Sequence, residues 1–302
     1  MWLYTHTDCL AHDPGEGHPE HPGRLRAVLD GLRSLGDRLQ WREAPLASPA
    51  QLQRAHTDAL LQSLAQHAPQ LGYVELDADT RLSPGSLTAS QRAAGALCAA
   101  IDAVMAGPSR RAFCAVRPPG HHSTAAQAMG FCLYNSVAVG ALHALQAHGL
   151  SRIAVVDFDV HHGNGTQAIL EQDPRVLFVS SHQSPLYPGT GLADGPQVRN
   201  AALPPGAGSA AFRQIWSESL LPAIERWAPQ LLLISAGFDA HRLDPLADLD
   251  LSSADYAWIS RALARLADRH ADGRLVSTLE GGYSLTALRE GALAHVSALL
   301  GD

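Results

Sequence analysis

Five short runs rich in Val, Ile, Leu and Phe recur along the 302-residue chain, alternating over most of its length with stretches of helical periodicity. They cover residues 113–117, 153–160, 176–181, 231–236 and 274–279. All are apolar on both faces, as strands buried inside a parallel sheet must be. Segments near 24–35, 57–68, 86–105, 135–148, 208–227, 253–269 and 284–300 repeat their apolar residues at helical spacing. Parallel strands need long crossovers, so this alternation predicts an α/β fold with a parallel sheet and helices on both faces. The Pro/Gly-rich stretches at 118–120, 184–196 and 204–208 are too short to be domain linkers. One domain over residues 1–302 is expected.

The composition narrows the function. Lys and Arg number 22 against 29 Asp and Glu, a net charge of −7. No basic run offsets that balance, so nucleic acid is not an expected partner. The N-terminus MWLYTHTDCLAHDPGEG lacks the basic and apolar regions of a secretory signal, and no apolar stretch is long enough for a membrane span. The four cysteines (Cys9, Cys98, Cys114 and Cys132) form neither a CxxC pair nor a dense framework. That is the usage of a reduced, cytoplasmic protein.

Histidine is abundant, at 16 residues, and much of it falls where strands end. The run FCAVR leads into Pro118-Pro119-Gly120-His121-His122, and IAVVDFDV into His161-His162-Gly163-Asn164-Gly165. LLLISAGF leads into Asp239-Ala240-His241 and then Asp244-Pro245, and RLVSTL into Glu280-Gly281-Gly282-Tyr283. Ligands of open α/β sheets bind outside the carboxyl ends of the strands, so four polar strand ends on one edge predict one site.

Asp159 and His161, two apart on a strand, point the same way and can grip one ion. Asp244, at another strand end, is the natural third ligand, and three protein ligands with an open position are what a catalytic metal keeps. A His with two carboxylates suits zinc, and also iron, manganese or cobalt. Adjacent His121 and His122 can divide proton abstraction and charge holding between them, with Asp157 and Asn164 as orienting acceptors.

These motifs resemble the zinc-dependent histone deacetylase-like amidohydrolases. The resemblance runs from His18-Pro19-Glu20-His21-Pro22-Gly23-Arg24 through RPPGHH (117–122), GFCLYN (130–135), DFDVHHGNGTQ (157–167), SAGFDAH (235–241) with DPL (244–246), to EGGY (280–283). It implies the arginase-deacetylase fold, a parallel sheet of about eight strands. It implies zinc on Asp159, His161 and Asp244, His122 as general base and then acid, and His121 as its electrostatic partner. Asp157 and Asn164 would orient the two histidines, and Tyr283 would donate to the oxyanion. Gly130, Phe131 and Tyr187 would line the acyl-lysine channel. A structural potassium is implied near Asp157, Asp159, His161, Ser180 and Ser181.

The expected substrate is an acetylated lysine in a peptide or protein, and the alternative is an acetylated polyamine. Leu251, seven residues past Asp244, is an apolar channel residue resembling the protein-lysine branch, whereas Asp248, Asp250, Asp77 and Asp79 could supply charge at the mouth. Asp79 could equally grip a peptide backbone. A metal-binding pseudoenzyme would have no use for Tyr283. Among the other histidines, His143 and His148 are expected at a helix surface, and His162 and His241 beside the site. His18 and His21, with Arg24, are expected to brace its floor. Cys132 is expected to be a buried packing thiol.

Overall fold

Strands apolar on both faces are stable only between two covering layers, and the five apolar runs accordingly form the middle of the sheet. The computed structural model covers residues 1–302. Its strands are β1 (Trp2–Thr5), β2 (Gln40–Glu43), β3 (Val74–Glu75), β4 (Arg81–Leu82), β5 (Arg111–Cys114), β6 (Ile153–Asp157), β7 (Val176–Gln183), β8 (Val198–Leu203), β9 (Leu231–Ala236) and β10 (Leu275–Leu279). Its helices are α1 (Gly23–Leu32), α2 (Pro49–Leu52), α3 (Asp58–His67), α4 (Ser86–Ala106), α5 (Ser136–Ala147), α6 (Asn164–Leu170), α7 (Ser209–Ile215), α8 (Leu221–Trp227), α9 (Ser253–His270) and α10 (Leu285–Leu300). Eight strands make one parallel sheet in the order β2-β1-β5-β10-β9-β6-β7-β8, and β3 with β4 forms a separate short hairpin. The single α/β domain expected from the alternation is the one observed.

Three sheet strands lay outside the expectation. β2 and β8 are the two edges, and β1 is next to one of them. The edge strands keep polar residues exposed or half-buried and so carry no continuous apolar run. The run at 153–160 pairs only as far as Asp157. Beyond it, side chains replace the ladder: the Asp159 amide donates to Asp157 Oδ1 at 3.1 Å, and the Val160 amide to Asp239 Oδ1 at 2.9 Å. The helix expected over 208–227 is continuous but contains a π-type stretch, Trp216–Leu220. It lies just ahead of Pro222, which has no N–H to extend the α-helical ladder.

Buried polar groups tie the loops beyond the sheet together. Arg117 donates to both carboxylate oxygens of Glu20, at 2.9 and 2.6 Å, and Arg24 donates to Glu20 at 2.8 Å. Burial works against charge on Glu20, but Arg117, His12 and Arg24 hold its pKa far below the usual carboxylate range. Arg24 also donates to the carbonyls of Gly282 and Glu280, at 2.6 and 2.5 Å. The loop after β10 is thereby fixed to α1 and to the loop after β5.

His295 on α10 is fully buried against Phe113, Phe158 and Phe238. Its two ring nitrogens bond the hydroxyls of Ser260 and Ser277 at 2.6 and 2.8 Å. Burial pushes its pKa down to about 3, from an ordinary value of 6.5. The unfolded chain therefore takes up a proton that the folded chain refuses, and stability is lost as pH falls from 6.5 toward 3. His295→Gln removes this titration. It is expected to flatten the acid-side slope of the urea-unfolding free energy by up to about 1.4 kcal/mol per pH unit. An unchanged slope in that window would contradict the assignment.

Candidate active site

The carboxyl ends of β5, β10, β9, β6 and β7, five neighbours in the sheet, deliver their loops to one place. In the β6–β9 pairing Asp157 stands opposite Ser235. Continuing that register beyond the ladder brings the Asp159–His161 segment alongside Gly237–Asp239. The Nδ1 atom of His161 lies 3.1 Å from Asp159 Oδ1 and 3.3 Å from Asp239 Oδ2. Asp159, His161 and Asp239 are one of two groups in the molecule whose ligand atoms converge as a metal requires.

The third ligand expected from the sequence is thus corrected. Asp244 is not in this group. Its Oδ2 accepts from the Tyr283 amide at 2.6 Å and the Ser284 amide at 3.3 Å, and its Oδ1 accepts from the Leu246 amide at 3.1 Å. Its carboxylate is used up in clamping the loop after β9 to the loop after β10. Burial and the charge of Asp239 push its pKa up to about 7. The signal that could have found Asp239 is its place three residues beyond its strand, close to the two-residue offset of Asp159.

A cation fits the group. Asp239 Oδ2 is buried and makes no well-formed hydrogen bond; the His161 ring, at 3.3 Å, is its one polar neighbour, an under-satisfied state for a carboxylate oxygen that an ion would relieve. Although burial opposes charge on His161, Asp159 and Asp239 draw its pKa up to about 10. The site thus attracts positive charge strongly. Gly281 lets the carboxylates approach: a Cβ there would stand 1.9 Å from Asp239 Oδ2 and 2.6 Å from Asp159 Oδ2. Its amide donates to Asp159 Oδ2 at 2.8 Å.

His121 and His122 stand beside this group with ring centroids 4.0 Å apart. His121 Nδ1 donates to Asp157 Oδ2 at 3.0 Å, and His122 Nδ1 donates to Asn164 Oδ1 at 2.8 Å. Burial disfavours a charged His121, but Asp159 and Asp157 outweigh it and hold the ring well above the ordinary imidazole value. For His122 burial, reinforced by repulsion from His121 and His161, holds the pKa well below that value. The pair is therefore one charged ring and one neutral ring. Glu280, which the sequence reading left unassigned, accepts from the Gly120 and His121 amides at 2.7 and 3.2 Å and fixes their loop.

Above the pair lies a cavity of about 220 Å³, lined by Asp79, His122, Gly130, Phe131, His161, Leu186, Tyr187, Leu246 and Tyr283. Gly130 is required where it stands: its φ is +57°, and a Cβ would meet the His122 ring at 2.5 Å. Phe131 packs edge-on against Tyr283 and His18, and Tyr187 edge-on against His122. The guanidinium of Arg24 lies over the Tyr283 ring, 4.8 Å from its centroid. Burial pushes the Tyr283 phenol well above its ordinary pKa, so it keeps its proton.

Leu251 does not line this cavity. It is fully buried in the core, and its expected place is taken by Leu246. The two corrections share one cause, because seven residues past Asp239 is Leu246, whereas seven past Asp244 is Leu251. His18 braces the channel wall, donating to the Asp79 carbonyl at 3.0 Å, while the His21 ring accepts from the Gly23 amide nearby in its own loop. Arg24 holds the floor. His162 bonds Thr190 and Gln167 under the Tyr187 loop, and His241 accepts from the Leu243 amide. Asp157 and Ser180 are paired in register on β6 and β7, with Ser181 next to Ser180. All four cysteines are buried and unpaired, Cys132 among them.

Fold and site define a parallel α/β domain with a buried carboxylate–imidazole cluster that could hold a metal ion at the foot of a channel. The histone deacetylase domain model matches residues 18–299. A histone deacetylase-like amidohydrolase of Pseudomonas aeruginosa is 40% identical over 94% of this chain and 77% of its own. A probable deacetylase of Archaeoglobus fulgidus is 38% identical over 98% of this chain and 83% of its own. The solved HD domain of HDA15 superposes with a TM-score of 0.92 at 35% identity, covering 99% of this chain and 88% of that one. The chain belongs to the histone deacetylase family and is a hydrolase of that family.

The corrected ligand set is directly testable by calorimetric titration with Zn²⁺. Asp239→Asn is expected to weaken binding by more than the roughly 10–100-fold typical of residues outside the ligand set, and Asp244→Asn to stay within that range. The reverse order would restore Asp244 as the ligand.

Proposed function

We propose that the protein is a zinc-dependent deacetylase acting on acetylated lysine side chains of peptides or proteins, with Asp159, His161 and Asp239 holding the ion. The observation that carries this reading is the juxtaposition of an acidic metal pocket, a neutral His122 and a protonated Tyr283 at the foot of one channel. A bound zinc supplies a Lewis acid that polarises the amide carbonyl and acidifies a water.

The chain's own residues do the rest. His122, neutral and oriented through Nδ1 by Asn164, takes the proton of the attacking water and returns it to the leaving amine, so that acetate and the free amine depart. His121, kept charged by Asp157 and Asp159, offsets negative charge that develops beside it. Tyr283 donates its hydroxyl to the oxyanion and is itself held by Asp244 at its amide and by Phe131 and Arg24 at its ring. Phe131, Tyr187, Leu246 and Gly130 enclose an apolar alkyl stem, and Asp79 stands where a peptide N–H can be gripped.

A structural potassium among Asp157, Asp159, His161, Ser180 and Ser181 belongs to the same proposal, supported by the pairing of β6 with β7 beneath the site. Buried, unpaired cysteines support a cytoplasmic setting, and no helix is long and apolar enough to cross a membrane. An apolar Leu246 in the channel favours lysine over a polyamine, whose extra cation would gain from a carboxylate there.

The zinc-loaded protein is expected to show a higher kcat/KM on an acetyl-lysine peptide than on N-acetylputrescine. Tyr283→Phe should lower kcat on the order of 10²–10³-fold with little change in KM. Leu246→Glu should shift preference toward the polyamine. Wild-type preference for the polyamine, or near-normal turnover by Tyr283→Phe, would contradict the proposal.

A further inference from the structure

Away from the channel, a second set of ligand atoms converges where α4 and α5 meet solvent. Asp102 projects from α4, His143 from α5, and His148 from the residue that caps the end of α5. His143, expected at the surface, is in fact buried. The Nε2 atoms of both imidazoles lie 2.7 Å from the same carboxylate oxygen, Asp102 Oδ1. One ligand atom from each residue falls within 4.8 Å of the other two. The side chains of His143 and His148 are 8% and 22% exposed and that of Asp102 53%, so two held imidazoles face one solvated carboxylate with room for water. Two imidazoles and one carboxylate with open positions suit a borderline transition ion rather than calcium or magnesium. None of the three lines the channel cavity.

We propose that Asp102, His143 and His148 form an accessory site for a divalent transition ion such as zinc or nickel, cross-linking α4 to the end of α5. Arg54 sets its threshold. Its Nη1 donates to His143 Nδ1 at 2.9 Å, and its Nε donates to Gln146 Oε1 at 2.8 Å. An ion on Nε2 requires the ring hydrogen to sit on Nδ1, where it opposes the Arg54 donor. Ion binding therefore breaks the Nη1 contact but can leave the Nε–Gln146 bond in place. The site is accordingly weaker than the channel site and fills second.

The test is calorimetric titration of the chelator-stripped full chain with Zn²⁺. Wild type is expected to bind two equivalents. His148→Ala and Asp102→Asn are each expected to bind one, with peptide deacetylation at one equivalent unchanged. Asp239→Asn identifies the remaining equivalent: it should spare the weaker event and remove or weaken the tighter one. Arg54→Gln, which offers Nδ1–H an acceptor in place of a donor, should tighten the weaker event about tenfold. A wild-type stoichiometry of one that is lost in Asp239→Asn would overturn the accessory site. So would a second equivalent that survives in both His148→Ala and Asp102→Asn. A single equivalent lost only in His148→Ala and Asp102→Asn would instead keep this site and overturn the channel site.

Discussion

The pairing of β6 with β9 is the constraint on which the rest depends. It sets Asp157 opposite Ser235, and everything chemical follows from continuing that register past the end of the ladder. Asp159 and His161 follow directly on β6 and Asp239 on its neighbour β9, so the three candidate ligand atoms meet without any long loop having to be ordered. Two buried strands make such a platform rigid, because a slip in register would strand their apolar residues and misplace every carboxylate together. Loops carry the remaining groups, but each is tied back. Asp244 joins the loop after β9 to that after β10, Glu280 holds the loop after β5, and Arg24 and Arg117 converge on Glu20.

Electrostatics gives the platform its character. Asp157, Asp159 and Asp239 lie fully buried where β6 and β9 end side by side, a concentration of negative charge that a folded protein keeps only if cations answer it. His121 and His161 answer it in part, and the Asp239 oxygen that faces His161 without a well-formed hydrogen bond marks where the answer is incomplete. The same field separates the two adjacent histidines. His121, between two carboxylates, is charged, and His122, one residue farther and bonded to a neutral amide at Asn164, is not. An unprotonated ring is what abstraction of a proton from water requires.

Much of this was legible in the sequence, and the parts that were not share physical causes. Buried central strands announce themselves through unbroken apolar runs, so β5, β6, β7, β9 and β10 were found. Edge strands β2 and β8 keep polar residues exposed or half-buried and look like loops. Metal-type side chains two apart just past a strand end, Asp159 and His161, could be paired from spacing alone. The third is marked only by its similar offset from a strand end, and choosing Asp239 over Asp244 with certainty requires knowing that β9 lies beside β6 and where its pairing stops. Sheet order is a long-range property that no local pattern carries. Leu246 takes the channel position expected of Leu251 for the same reason, since it is Leu246 that stands seven residues past Asp239, and His143 is buried because α5 is apolar around most of its surface.

Anomalous scattering at the zinc edge, from crystals of the zinc-loaded protein, tests the central claim most directly. A peak at the foot of the channel is expected within bonding distance of Asp159, His161 and Asp239, with the Asp244 carboxylate still bonded to the amides of Tyr283 and Leu246. A peak that takes Asp244 in place of Asp239, or no peak between β6 and β9, would contradict it.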